Sequence, residues 1–238
     1  MVWMRPANVP YPSVWHTFRA KDVDSDQMVN YVVQDLPEER FEEAIDHMLN
    51  IFIYDEPMCE AKKLAEDPVS VQEIRDVWRE LVQHRVALIC FREGSDEIAG
   101  INMTYVSDKD DKKDYTCNGD RWRDVLDAVM YFSDRSNVFE RYQVDQYLAA
   151  MGLSVVPKYR GRGLATEILR ARIPLCKAVG LKVTSTVFTA IGSQIPAGKV
   201  GFEDNYVMSY EELVKVDPRF EFPGIPGKYC KSMSLKVE

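Results

Sequence analysis

The chain carries only three histidines and five cysteines in 238 residues, and neither set is arranged for metal chemistry. His16, His47 and His84 lie far apart, and no Cys-x-x-Cys pair occurs. A zinc site needs clustered donors of that kind, so no metal is expected. Cys59, Cys90, Cys117, Cys176 and Cys230 are odd in number and scattered. That argues against a disulfide framework and for a reducing compartment, the cytoplasm. Basic charge is also short, with Lys+Arg at 30 against Asp+Glu at 38, a net charge of −8. Binding a nucleic-acid backbone takes clustered cations, so no nucleic-acid partner is expected, whereas a small cationic substrate suits the balance. No apolar run approaches membrane-spanning length, and Met1–Pro6 lacks the apolar core of a secretory leader, so no membrane partner is expected either. Neither the Gly-Lys-Ser/Thr of a Walker loop nor a Gly-x-Gly-x-x-Gly turn is present. Repeats, coiled-coil heptads and linker-like stretches are likewise missing.

What is there reads as one globular domain over residues 1–238, with 46% hydrophobic and 29% charged residues. Three prolines make residues 1–12 a loose arm. Strands are expected at Val14–Ala20 and Met28–Val33. A helix follows Pro37, with Phe41, Ala44, Ile45, Met48, Leu49 and Phe52 on one face, as its 3.6-residue period requires. His47 falls on that helix as a face residue. Asp67-Pro68 breaks the next segment, and Val71–His84 is a helix. Val86–Arg92 and Ile98–Val106 form a hairpin around Glu93–Asp96. Ser107–Asp120, rich in Asp and Lys, is a mobile loop. Helices are expected at Trp122–Met130 and Val138–Tyr142, interrupted near Ser133–Asn137. Later come a strand at Leu181–Phe188 and a short helix at Ser193–Val200. Two last strands, Phe202–Tyr210 and Tyr229–Val237, are joined by the Pro/Gly-rich loop Asp217–Gly227. Together these give a mixed α/β domain.

The most informative stretch is Val155-Val156-Pro157-Lys158-Tyr159-Arg160-Gly161-Arg162-Gly163-Leu164-Ala165. An apolar strand, Tyr147–Ser154, precedes it. A helix follows, reaching Val179-Gly180 and kinked at Pro174. The first amides of a helix have no intrahelical partner, and its dipole places roughly half a positive charge there. Gly161 and Gly163 let the backbone come close to an anion, and Arg160 and Arg162 add charge. The pattern Arg-x-x-Gly-x-Ala alone arises by chance in roughly one chain of this length in five. Its place between a strand and a helix is what gives it weight.

That turn in that context resembles the pyrophosphate turn of the GNAT superfamily of acetyl-CoA-dependent acetyltransferases. Lys199-Val200-Gly201-Phe202 resembles the Lys-x-Gly-Phe that closes the last helix of the fold. Tyr54-Asp55-Glu56-Pro57, at the end of a Phe-rich helix, is similar to the segment carried by insect arylalkylamine N-acetyltransferases. The resemblance implies the GNAT fold: a central, mostly antiparallel mixed sheet flanked by helices, with two strands splayed at an acetyl-CoA cleft. It implies acetyl-CoA as cosubstrate and transfer of acetyl to a primary amine such as dopamine, tyramine, octopamine or serotonin. Leu153, Ser154 and Val155 would offer backbone groups to the acetyl carbonyl and pantetheine arm. The turn Arg160, Gly161, Arg162, Gly163, Leu164 and Ala165 would hold the pyrophosphate. Glu56 would be the general base, with Asp55 and Pro57 beside the amine, although Asp55 could equally cap a helix.

The proton donor to the thiolate departs from the family pattern. Many GNAT enzymes place a Tyr five residues before the Phe of Gly-Phe, and here that position is Ala197; the usual upstream Asn is Ala190. In the insect family two hydroxyl residues four apart stand before the last helix, and they fall on Thr189 and Ser193, where a capping role is an equal alternative. Cys59 is close to Glu56 in sequence, but an acyl-cysteine route needs a partnered histidine, and a small buried thiol accounts for it better. Two alternatives stay open: a polyamine or agmatine acetyltransferase, and a CoA-binding module without turnover.

Overall fold

A computed structural model describes residues 3–111 and 117–237. Eight strands form one sheet: β1 (Val14–Lys21), β2 (Met28–Asp35), β3 (Leu88–Arg92), β4 (Ile98–Asp108), β5 (Gln146–Val155), β6 (Val183–Phe188), β7 (Glu203–Ser209) and β8 (Tyr229–Lys236). Their order is β1-β2-β3-β4-β5-β6-β8-β7, with every neighbouring pair antiparallel except β5 and β6. The expected mostly antiparallel mixed sheet flanked by helices is what forms.

Helices cover both faces. On one side lie α1 (Phe41–His47), α2 (Ile53–Asp55), α3 (Pro57–Ala61), α4 (Pro68–Leu81) and α5 (Asp120–Ser136), packed on Ile101 and Met103 of β4. On the other lies α7 (Leu164–Val179), whose Leu164, Ile168, Ala171 and Leu175 meet Leu88, Ala99 and Leu148. Between the two layers β4 is almost wholly buried, so apolar side chains face both sides of it and Asn102 and Thr104 are buried among them. Short helices α6 (Val138–Tyr142), α8 (Ile191–Val200) and α9 (Tyr210–Val216) complete the connections.

Several expectations shift for identifiable reasons. Asp67-Pro68 starts a helix rather than breaking one: Asp67 caps it by accepting from the Val69 amide, and Pro68 occupies the first turn, where its missing N–H costs nothing. α5 runs through Ser133 and ends only where Asn137 turns left-handed at φ 49°. The apparent strand end at Tyr210 opens α9, fixed by a capping box between Ser209 and Glu212. α7 continues through Pro174, which takes a half-buried position inside the helix. The loop expected over 107–120 lies partly outside the described residues, and β4 extends into its start. Residues 3–12, expected as a loose arm, are tied down by Arg5. Its guanidinium reaches the buried Asp35 at 2.8 Å and the Pro10 carbonyl at 2.8 Å, and it stacks near Tyr11 and Trp15.

Among the described residues no helix is long and apolar enough to cross a membrane, and no group of His, Cys, Asp and Glu could hold a metal ion. All five cysteines are unpaired.

Candidate active site

β5 and β6 are the only adjacent parallel strands of the described sheet, and their register holds a single pair, Leu148 with Thr184. Beyond it they diverge. The gap opens into a cavity of about 670 Å³ that runs from the glycine turn, past Glu56, to a chamber beneath α5.

At the outer end stands the turn between β5 and α7. Gly161 and Gly163 adopt φ of 76° and 84°, a region that favours glycine, and a β-carbon on either would meet nothing within 4 Å. The backbone amides from Gly161 through Ala165 donate to no acceptor among the described residues. A row of unpaired amides at the positive end of a sixteen-residue helix is a ready anion cradle. Arg160 borders it, its Nε donating to the Val155 carbonyl at 2.9 Å. Arg162 does not: its guanidinium donates to the carbonyls of Asp22, Val23, Lys158 and Arg160, bracing the β1–β2 turn. The charge expected of its side chain is thus engaged by four backbone carbonyls, while its backbone amide remains in the cradle.

The opposite wall comes from the first helix. After α1, Met48–Phe52 forms a π-helical turn, then α2 leads to Glu56, where the backbone becomes extended at ψ 121°. Pro57 then opens α3 at its first turn. This break lets Glu56 cap α3, its Oε2 accepting from the Cys59 amide at 2.7 Å. Its Oε1 accepts from Thr189 Oγ1 at 2.5 Å. Glu56 and Thr189, 133 residues apart, therefore meet at the cavity wall. Ser193 also lines the cavity, with its hydroxyl donating to the Ala190 carbonyl at 2.9 Å. Asp55 also lines the cavity and pairs with Arg160, both side chains nearly half exposed.

Buried side chains flank Glu56. Burial pushes the Cys59 thiol well above its ordinary value, and the Glu56 carboxylate adds to the rise. Cys59 is therefore a protonated packing residue, as its composition-based reading anticipates. The Cys230 thiol is raised by burial and by Glu56 in the same way. Tyr210 donates to the Thr189 carbonyl at 2.8 Å, and burial raises its phenol.

The strand side is shaped by a bulge. Asn102 pairs with Leu153 but Thr104 pairs with Ala150, so β5 carries an extra residue at Met151-Gly152. Gly152 has φ 117°, and a β-carbon there would stand 2.4 Å from Met48 Cε and 3.2 Å from Phe52 Cζ. The freed carbonyls are claimed by side chains: Trp78 Nε1 donates to Met151 at 2.9 Å and Asn102 Nδ2 to Gly152 at 2.7 Å. Leu153, Ser154 and Val155 stay bonded to β4 on one edge and line the cavity on the other. The Ser154 hydroxyl shares a 3.0 Å hydrogen bond with His47 Nε2. His47 is thus a buried partner of β5, and burial pulls it down to about 4, so it is neutral.

The inner chamber is mostly apolar, bounded by Phe52, Trp122, Leu126, Val129 and Met130 with the hydroxyls of Tyr147 and Ser133. Sequence reasoning did not place α5 at the site. It also passed over Arg172, a charged residue on the same helical stripe as Leu164 and Ile168. A cation in an apolar stripe was the available signal. Arg172 is 1% exposed and lines the cavity. Its Nε donates to Asn102 at 2.8 Å and its Nη1 to Thr186 at 2.8 Å. Burial pulls the guanidinium down to about 9, which leaves it a cation at neutral pH.

No protein-family model and no curated protein matches the chain. Solved structures do. The arylalkylamine N-acetyltransferase-like protein designated arylalkylamine N-acetyltransferase 7, from the yellow fever mosquito Aedes aegypti, is 52% identical over 99% of this chain and 100% of that one, with a TM-score of 0.97. Arylalkylamine N-acetyltransferase 2 of Aedes aegypti is 18% identical over 87% of this chain and 99% of that one, at a TM-score of 0.78. A polyamine N-acetyltransferase of Drosophila melanogaster that forms N-acetylagmatine is 17% identical over 87% and 100%, at 0.71. The last two show a shared fold, and the first, with its near-complete coverage, shows kinship. Splayed strands, a glycine turn on a long helix and a 52% identical relative thus agree: the chain belongs to the insect arylalkylamine N-acetyltransferase-like proteins of the GNAT superfamily and is an N-acetyltransferase.

Proposed function

We propose that the protein transfers acetyl from acetyl-CoA to an arylalkylamine by direct attack, with Glu56 as general base. The observation that carries this reading is the Glu56–Thr189 contact, set between an anion cradle at one end of the cavity and an apolar chamber at the other. GNAT acetyltransferases use acetyl-CoA, and the residues here fit it. The free amides of Gly161 to Ala165 suit a pyrophosphate. The open edge of β5, which has lost β6 as a partner, offers backbone groups to an extended amide-bearing arm.

An alkylamine has a pKa of ~10.4, so under ~0.1% is neutral at pH 7. The enzyme must take up a proton as the nitrogen attacks. Glu56, held by two donors at a helix break, is positioned for that and supplies the negative charge that draws an ammonium to the cavity. Of the carboxylates lining the cavity, Asp55 and Glu56, the first is already matched by Arg160. A single unmatched carboxylate next to an apolar chamber favours a monocation with a ring over a polyamine, whose further charges would be buried without partners. Thr189 holds the base in place, and Ser193 stands near as a hydroxyl that can relay a proton.

Steady-state kinetics with tyramine, dopamine, serotonin, agmatine and spermidine tests the reading. Arylalkylamines are expected to lead in kcat/KM. A clear preference for agmatine or spermidine would reassign the acceptor, and no turnover with any of them would leave a CoA-binding module.

A further inference from the structure

Arg172 is buried without a counter-charge. Its hydrogen-bond partners, Asn102 Oδ1, Thr184 Oγ1 and Thr186 Oγ1, are all neutral, and no carboxylate pairs with it among the described residues. Its Nη2 has no hydrogen-bond partner among the described residues, yet it is not sealed away, because the residue borders the cavity. A buried unpaired cation is costly, and such a group in a cleft is expected where a ligand brings the missing charge.

Its position narrows what that ligand atom is. Asn102 bridges Arg172 to the bulge, accepting from the guanidinium and donating to the Gly152 carbonyl. From the other face of the sheet Phe52 packs on Gly152, and the Glu56 amide donates to the Phe52 carbonyl at 2.8 Å. Arg172 and Glu56 therefore approach one kink of β5 from opposite sides. Along α7, Arg172 lies eight residues beyond Leu164, about 12 Å from the glycine turn at 1.5 Å per residue. A pantetheine arm has about thirteen bonds from phosphorus to sulfur and spans roughly 15 Å extended, at about 3.6 Å per three bonds. An arm anchored at the turn thus brings its sulfur to the level of Arg172.

We propose that Arg172 stabilises the thiolate that departs from the acyl donor. This rests on the reading of the cleft as an acetyl-CoA site. As the amine nitrogen bonds to the acyl carbon, the C–S bond breaks and its electron pair leaves on sulfur. The amine proton passes to Glu56, and the thiolate stays beside the guanidinium until it is released and protonated by solvent. The absence of a hydroxyl at Ala197, which is fully buried, is then no defect, since a fixed cation replaces a proton donor. The other groups facing the guanidinium do not compete. Cys176, one turn along α7, is pushed up to about 12 by burial and stays neutral, and Phe202 presents its ring 5.9 Å away. Across the cavity are Glu56, Lys199 and the Asp55–Arg160 pair.

The test is a pH titration of coenzyme A bound to the protein, followed by the ultraviolet absorbance of its thiolate, beside calorimetric binding. A free thiol titrates near ~8.5, and a cation in contact lowers that by about 1–3 pH units. The wild-type complex is expected to show this fall, Arg172→Lys part of it, and Arg172→Met none. Should the Met variant not fold, the Lys variant against wild type carries the comparison. A role confined to packing would lower the melting temperature of both variants and leave the thiol titration where wild type has it. An unshifted thiol in the wild-type complex overturns the proposal. So does an unshifted wild-type thiol with turnover lost in Arg172→Met, which would assign the guanidinium to the carbonyl oxygen. If coenzyme A does not bind wild type at all, both this proposal and the acetyl-CoA reading fall.

Discussion

Replacing Glu56 by glutamine keeps the size of the side chain and removes its basicity. The structural cost is small and can be followed donor by donor. The Cys59 amide still finds the amide oxygen, and the Thr189 hydroxyl, which now donates, can rotate to accept from the new NH2. Exchanging a charged acceptor for a neutral one costs about 1 kcal/mol, a fall of about 2–4 °C in melting temperature for a chain of this size. The catalytic cost is much larger. Loss of a positioned general base is worth about 10²–10⁴ in rate, or roughly 3–5 kcal/mol of barrier. Acetyl-CoA affinity is expected to hold, because the free amides of the glycine turn are untouched. The deficit also has a pH signature. The neutral fraction of the amine grows about tenfold per pH unit below its pKa of ~10.4, so the variant gains on wild type as pH rises. The assay is kcat/KM for tyramine from pH 6 to pH 9, with thiol release as the readout. A folded variant that keeps wild-type kcat/KM across that range would refute the assignment of Glu56 as the base.

Acetyl-CoA at a hundredfold excess over its Kd should stabilise wild type by about 2.7 kcal/mol in thermal unfolding. Gly163→Val should abolish that shift, since its side chain would fill the open space over the free amides, where a β-carbon now meets nothing. Asp55→Asn frees Arg160 from an exposed pair; such pairs are worth at most about 1 kcal/mol, so calorimetry should show acetyl-CoA binding up to about fivefold tighter, and weaker binding would mean Asp55 serves the cleft otherwise. His47 is held neutral by burial, with its folded value near about 4. The unfolded chain binds that proton near ~6.5, so stability in urea should decline as pH falls from ~6.5 toward about 4, by at most about 3 kcal/mol, and His47→Gln should flatten the decline.

The parts of the site carried by local patterns were legible in the sequence. The glycine turn, its helix and the Asp-Glu-Pro break each follow from backbone rules acting over a few residues. Thr189 could be named by counting back from Phe202, but not its bond to Glu56, which depends on how a helix end meets a strand 133 residues away. Arg162 reads as an anion ligand in sequence because charge beside glycines suggests one. Only the fold reveals that four carbonyls of neighbouring loops claim it. α9 was missed although Ser209 and Glu212 spell its capping box, because the alternating pattern of β7 ran straight into it. Arg172 went unremarked, because its partners sit on two separate strands, β4 and β6.

The π turn at Met48–Phe52 has a consequence for where the rest of the helix points. A π turn holds one residue more than the α turn it replaces, so the surplus residue is absorbed locally. Were the same residues to wind as regular α-helix, that residue would be passed on, and every later one would be carried about 100° around the axis, the rotation of one residue at 3.6 per turn. Glu56 would swing off Thr189. The extra residue therefore sets the angle at which the proposed base faces the cavity.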